Sequence, residues 1–130
     1  MDLNLDILRA ARSLAAHSAD RQGVIAENIA NADTPGYRAR DLIPFSETYE
    51  AGGPDTFAMK STRMGHVQSE PSLHNSETTT ITAFGAESPN GNTVSLEDQM
   101  MRGVEVRQNH DLAMSVYRKT LDILRISIGT

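Results

Sequence analysis

Apolar and small side chains recur through the first quarter of the chain at Leu8, Ala11, Ala15, Ser18, Gln22, Ile25, Ile29 and Ala32, in alternating steps of three and four. That spacing predicts an amphipathic helix with a heptad-like seam. Beginning near Leu3, it runs for about 30 residues and so reaches ~45 Å at ~1.5 Å per residue. The same rhythm returns at the other end as Met100, Gly103, Arg107, His110, Met114, Tyr117, Leu121, Leu124 and Ile128. Ser95 stands ahead of it as an N-cap with Glu97 and Asp98 in the first turn, where negative charge suits the helix dipole. Gly129 sits where the helix would end.

Between the helices the rhythm disappears. Residues 41 to 92 hold four of the five prolines and a polar run from Ser76 to Thr82. Thr78-Thr79-Thr80-Ile81-Thr82 and Phe57-Ala58-Met59 are β-prone, yet no strand pair is joined by a compelling hairpin turn. The expected fold class is therefore mainly α: long terminal helices pair as an antiparallel coiled-coil-like hairpin around an extended, loop-rich middle with at most a small β element. The expected segments are 1–33, 34–92 and 93–130, acting as one structural unit.

Composition changes this picture in one respect. In 130 residues only 38% are hydrophobic, 5% are aromatic and none is Trp. Large aliphatic and aromatic side chains supply most of the area removed from water on folding, so such a hairpin buries little by itself. It is expected to complete its core against copies or relatives, and a lone subunit should be poorly ordered at both ends.

Charge is distributed unevenly: residues 41–98 carry nine acidic and two basic side chains, while residues 1–40 are balanced at five of each and residues 99–130 hold five basic against three acidic. This pattern suits solvent-facing loops between packed helices and offers no basic face for nucleic acid. Cysteine is absent, which frees the chain from any redox compartment. No apolar run reaches membrane-spanning length, and the first 20 residues, with Asp2, Asp6, Arg9, Arg12 and Asp20, do not resemble a targeting peptide. By these rules the chain stays in the cytoplasm unless a route without a cleaved signal exports it.

Chemistry-bearing residues lead nowhere in particular. His17, His66, His74 and His110 lack the spacing of a zinc site, and no G-x-S-x-G nucleophile elbow or phosphate loop is present. We assign no catalytic residue, no metal and no cofactor. Asp33 and Thr34 read more simply as backbone-bonding residues of a turn centred on Pro35-Gly36. The cluster Arg38, Arg40 and Asp41 is either a solvated face or, with arginine bridging carboxylate oxygens, a set of partners for a neighbouring chain.

Residues Asn28-Ile29-Ala30-Asn31-Ala32-Asp33-Thr34-Pro35-Gly36-Tyr37-Arg38-Ala39-Arg40-Asp41 resemble the signature of bacterial flagellar axial proteins, most closely the proximal rod subgroup. Thr62 with His66 resembles a T-x-x-x-H feature of that family. Gly91-Asn92-Thr93-Val94-Ser95-Leu96-Glu97 resembles the approach to its last helix, and Leu124-Arg125-Ile126-Ser127-Ile128-Gly129 resembles its closing L-R-x-x-I-G. Ile43-Pro44 departs from the family pattern, as does Gly52 to Pro89 outside Thr62 and His66. The resemblance implies a structural rod subunit that self-assembles through its terminal helices, with no enzymatic activity. It implies export through the flagellar type III apparatus without a cleaved signal, and a periplasmic place in the basal body. Its implied partners are the same and sister rod subunits, the adaptor FliE and the inner-membrane ring, with no nucleic acid or small-molecule substrate. The implied assembly motif is Asn28, Ile29, Ala30, Asn31, Asp33, Thr34, Pro35, Gly36, Tyr37, Arg38, Arg40 and Asp41. Its helix seam is Leu8, Ala11, Ala15, Ile25, Ile29, Met100, Met114, Tyr117, Leu121, Leu124 and Ile128. A cytoplasmic helical adaptor or type III export chaperone, also small, acidic and free of cysteine, is the alternative; a cooperatively melting dimer would mark it.

Overall fold

The computed structural model describes residues 2–51, 78–80 and 87–129. Helix α1 (Asp2–Ala30) and helix α3 (Leu96–Ile128) are the two predicted terminal helices, packed against one another. They run antiparallel: Asn28 of α1 bonds Gln99 of α3, and seven residues earlier in α1, Arg21 reaches Glu105, six residues later in α3. Strand β1 (Arg40–Leu42), helix α2 (Phe45–Ala51) and strand β2 (Thr78–Thr80) lie between them in sequence.

Each helix ends for a local reason. Ser95 caps α3, its side chain accepting from the Asp98 N–H at 3.4 Å, with Glu97 and Asp98 in the first turn. At the far end Gly129, at φ 81°, turns its N–H back to the Ile126 carbonyl. Helix α1 stops at Ala30, two residues short of the last predicted seam position, and Asn31 N–H is shared between the carbonyls of Glu27 and Asn28.

The packing seam is small and polar. On α1 the buried positions Ala11, Ser18 and Ile25 follow a seven-residue repeat, with Asn28 buried one step further. On α3 the repeat is Gln99, Val106, Ala113 and Thr120. This α3 seam runs one residue ahead of the predicted row, a rotation of about 100°. Met100 is accordingly 68% exposed and Ile128 80% exposed; Tyr117 and Leu121 are also exposed, while Met114 and Leu124 are half-buried. The cause is that the helix turns its smallest and most hydrogen-bonding stripe inward, where close approach to α1 is possible, and leaves its larger apolar stripe outside. On α1, Ala11 and Ile25 are buried, Leu8 and Ala15 half-buried, and Ile29 exposed.

The middle is more ordered near α1 than expected. Strands β1 and β2 pair antiparallel with Arg40 opposite Thr80, Asp41 opposite Thr79 and Leu42 opposite Thr78. Thus the predicted threonine strand is present at Thr78–Thr80, and its partner comes from the charged cluster. Helix α2, which lacks a counterpart in the sequence reading, starts on Pro44, whose carbonyl accepts from the N–H groups of Glu47 and Thr48. Its Phe45 ring lies 5.6 Å from His17 and 5.7 Å from Tyr49, and His17 Nε2 is 2.8 Å from the Ile43 carbonyl. His17 is therefore a buried packing residue. Phe57-Ala58-Met59, Thr62, His66 and His74 lie outside the described residues.

A candidate assembly junction

Two turns meet where the helices join the middle. In Thr34-Pro35-Gly36-Tyr37 the Tyr37 N–H returns to the Thr34 carbonyl at 3.3 Å, and Gly36 takes φ 72°, the left-handed value that the third position of a type II turn requires. In Ser88-Pro89-Asn90-Gly91 the Gly91 N–H returns to the Ser88 carbonyl at 2.8 Å. They lie back to back: Gly36 N–H donates to the Asn90 carbonyl at 2.9 Å. A Cβ on Gly91 would sit 3.5 Å from the Gly36 Cα, and Gly91 itself is at φ 82°. Side chains at either glycine would meet a backbone conformation they rarely adopt.

Three polar residues rivet this contact. Asn92 donates through Nδ2 to the carbonyls of Asn31 and Thr34 at 2.9 and 2.8 Å, while its Oδ1 accepts from the Val94 N–H. Thr93 accepts the Ala39 N–H on its hydroxyl and donates its own N–H to the Tyr37 carbonyl. Asn28, 0% exposed, fills all four of its hydrogen-bonding positions. Its Nδ2 donates to the Arg40 carbonyl and to Gln99 Oε1, and its Oδ1 accepts from the Arg40 N–H and the Tyr37 hydroxyl. Because the Arg40 N–H can only donate and the Arg40 carbonyl can only accept, the amide has one orientation. Gln99 Oε1 must then face it, and Gln99 Nε2 is left buried without a partner among the described residues.

Beside Asn28 lies an ionic tie. Arg21 grips Asp41 with Nε at 2.9 Å and Nη2 at 3.0 Å, Arg102 reaches the same carboxylate at 2.6 Å, and the Leu42 N–H adds a bond at 2.8 Å. Arg102 also holds Asp98 at 2.8 Å, and Arg21 approaches Glu105 at 3.4 Å. Burial by itself would raise the Asp41 carboxyl, but the hydrogen bonds and charge of Arg21, the Leu42 N–H and the charge of Arg102 outweigh it. They hold it below the usual carboxylate range. One buried carboxylate therefore joins α1, β1 and α3.

The motif divides into two faces. Asn28 and Asp41 are buried, Asn31, Tyr37 and Arg40 half-buried, and Arg40 pairs with Glu27 of the same chain. Ile29, Ala30, Asp33, Thr34, Pro35, Gly36 and Arg38 are exposed. Asp41 is thus an internal anchor, because β1 carries it under two arginines from the helices, while Arg38 remains outside. Arg21, Asn92, Thr93 and Gln99 belong to the junction although the sequence reading did not single them out as site residues. Asn92 and Thr93 stood in the stretch Gly91-Asn92-Thr93-Val94-Ser95-Leu96-Glu97 that resembles the approach to the last helix, whereas Gln99 carried no local signal. Among the described residues no group of His, Asp and Glu could hold a metal ion, and no helix is long and apolar enough to cross a membrane.

Comparison with known proteins bears on what this junction is for. Residues 8–38, the greater part of α1 with the first turn, match the family described as flagella basal body rod protein. The chain is 33% identical over 99 residues to the flagellar basal body rod protein FlgB of Aquifex aeolicus (strain VF5), an alignment covering 76% of this chain and 70% of that one. It is 28% identical over 107 residues to FlgB of Agrobacterium fabrum (strain C58 / ATCC 33970), covering 75% and 74%. Against FlgB of Escherichia coli (strain K12) it is 69% identical over 29 residues, 22% of this chain and 21% of that one.

Proposed function

This chain belongs to the FlgB family of flagellar basal body rod proteins, and from that membership we propose that it builds the rod by self-assembly through its two terminal helices. It is a structural subunit of the flagellar basal body and works with other rod components in motility. One observation carries the assembly reading: α3 turns a small, polar stripe toward α1 and leaves its apolar stripe, including Met100, Leu121 and Ile128, uncovered. Large apolar side chains contribute most to association when a neighbour removes them from water.

In this reading the outer row Met100, Met114, Tyr117, Leu121, Leu124 and Ile128, with Ile29 of α1, faces neighbouring subunits. The exposed motif residues Ala30, Asp33, Thr34 and Arg38 meet them where the chain leaves the helical layer. Segments 1–33, 34–92 and 93–130 work as one unit. FliE and the inner-membrane ring are further partners, and the subunit passes through the flagellar type III export apparatus without a cleaved signal to a periplasmic position. Such a subunit performs no catalysis and needs no cofactor.

Substituting Ala30→Trp or Leu124→Asp tests this reading. Both variants should accumulate as soluble protein yet be missing from isolated basal bodies, and cells carrying either should not swim. Normal swimming by both would count decisively against assembly through these helices.

A further inference from the structure

Asn90 is followed by Gly91, and none of the chain's other asparagines has glycine after it. The carboxamide carbon of asparagine is an electrophile that the backbone nitrogen of the next residue can reach by closing a small ring. Glycine, lacking Cβ, leaves that nitrogen unshielded and its backbone free to adopt the ring geometry. Asn90 is exposed, so water can complete the reaction. The bonds balance as follows: Gly91 N gives up its proton and attacks Asn90 Cγ, the C–N bond of the side-chain amide breaks, and ammonia leaves carrying that proton. The cyclic imide then adds water. Attack at Cγ gives aspartate, and attack at the main-chain carbonyl gives isoaspartate.

In the docked turns every group on this path is tied. The Gly91 N–H donates to the Ser88 carbonyl at 2.8 Å, the Asn90 carbonyl accepts from the Gly36 N–H at 2.9 Å, and Asn90 Oδ1 accepts from the Asn92 N–H at 3.1 Å. Swinging the Asn90–Gly91 peptide plane toward Cγ breaks the first two, and turning the side chain to meet it breaks the third. Glu87 adds to the barrier. Its Oε1 would stand 3.8 Å from a Cβ on Gly91, and a carboxylate so close disfavours removing the proton from Gly91 N. We propose that Asn90-Gly91 is a deamidation site controlled by the junction: a chain whose turns are docked keeps its asparagine, and a chain held open converts it to aspartate and isoaspartate. The two products differ in consequence. Aspartate keeps the main chain and an Oδ1 acceptor for the Asn92 N–H. Isoaspartate routes the main chain through Cβ and Cγ, which adds a carbon inside the Ser88–Gly91 turn and displaces the group that meets Gly36. Asn92 is then drawn off the Asn31 and Thr34 carbonyls that it bonds in the closed junction. Closure thus protects the residue, and isomerisation of an open chain opposes later closure.

Incubating the full chain at mildly alkaline pH, with and without guanidinium chloride, tests the proposal, with the peptide that contains residue 90 followed by mass spectrometry. In denaturant Asn90 should convert ahead of every other asparagine, yielding isoaspartate that an isoaspartyl methyltransferase labels. In native buffer the same residue should convert at least about tenfold more slowly, because releasing three hydrogen bonds of ordinary net strength costs that factor or more. Asn92→Ala loosens the docking and should convert faster than wild type in native buffer; if it unfolds outright, its rate joins the denatured one and the wild-type ratio alone decides. Equal wild-type rates in the two buffers, no conversion in denaturant, or Asn92→Ala as slow as native wild type would each overturn the proposal. Hydrogen exchange separates the products: the Gly36 amide should exchange faster in the purified isoaspartate chain and stay as in wild type in Asn90→Asp. Slow exchange in both would show that the isomer does not open the junction.

Discussion

The junction end and the far end of the hairpin are held by different physics. At the junction, Asn28, Asn92, Asp41 and Thr93 bond backbone and side chains from four separate stretches, so geometry there is specified to a single arrangement. At the far end, Ala113 and Thr120 are the last buried side chains of α3, while Leu3, Ile126 and Ile128 stand in water. Directional bonds fix which arrangement forms, whereas apolar burial supplies most of the free energy. This molecule concentrates the first at one end and postpones much of the second, a division suited to a part whose remaining surface is covered by neighbours.

Removing the centre of the junction should have the largest effect. Asn28→Leu strands the Arg40 N–H and carbonyl, the Tyr37 hydroxyl and Gln99 Oε1 at once. With each buried group left unpaired costing ~1–3 kcal/mol, the loss should be about 4 kcal/mol or more, a large share of any small domain's stability. Urea denaturation followed by circular dichroism measures it. A loss under about 1 kcal/mol would mean that the junction does not set the stability of the hairpin. A matched change at the far end, Ile126→Ser, serves as control, since an exposed substitution should stay within about 0.5 kcal/mol.

Asp41→Asn comes next. It keeps the shape and removes the charge shared by Arg21 and Arg102, but each arginine retains a second carboxylate, Glu105 or Asp98, and both remain partly exposed. The cost should therefore fall to about 2 kcal/mol, below the ~3–5 kcal/mol of a fully buried broken pair. A pH dependence accompanies it. The folded chain holds Asp41 ionised below the unfolded carboxylate value of ~3.9. This contribution is thus complete above that value and is lost as pH falls through the lower folded value. Wild-type stability should drop below about pH 4, and the part due to Asp41 should vanish in Asp41→Asn. Identical acid limbs for the two proteins would show that the tie carries no net stability.

How much of this was legible in sequence follows the range of the interactions. Helices α1 and α3 were readable because a three-four rhythm over 30 residues is a local property, and the Ser95 cap and Thr34-Pro35-Gly36-Tyr37 turn because their chemistry is contained in adjacent residues. The inward face of α3 was not. Periodicity locates an apolar stripe but cannot say whether that stripe meets the partner helix or an outside surface, and here Gln99 and Thr120 face inward. Strand β1 was illegible because Arg40-Asp41-Leu42 becomes a strand only through Thr78–Thr80, more than 30 residues later. Helix α2 left one usable trace, the aromatic pair Phe45 and Tyr49 at i and i+4 after Pro44.

Gln99 sharpens the comparison through the smallest expected effect. Its Oε1 satisfies Asn28, which favours the native pairing, while its Nε2 is buried without a partner among the described residues, which opposes it. Gln99→Met removes both at nearly constant volume. It strands one of the two Asn28 Nδ2 hydrogens, at ~1–3 kcal/mol, and relieves an unpaired donor of the same order. The net change should stay within about 1 kcal/mol, despite the residue being fully buried at the meeting point of the two helices. The amide nevertheless favours this register, because Gln99 is the α3 side chain that bonds Asn28 among the described residues, and a thioether there would let α3 slide or rotate toward its more apolar stripe. The variant should therefore melt near the wild-type midpoint while the amide protons of residues 28 and 40 exchange faster. A large loss of stability would place the energy of the junction in Gln99 itself. Unchanged exchange would show that Arg40 and Tyr37 hold Asn28 without help from α3.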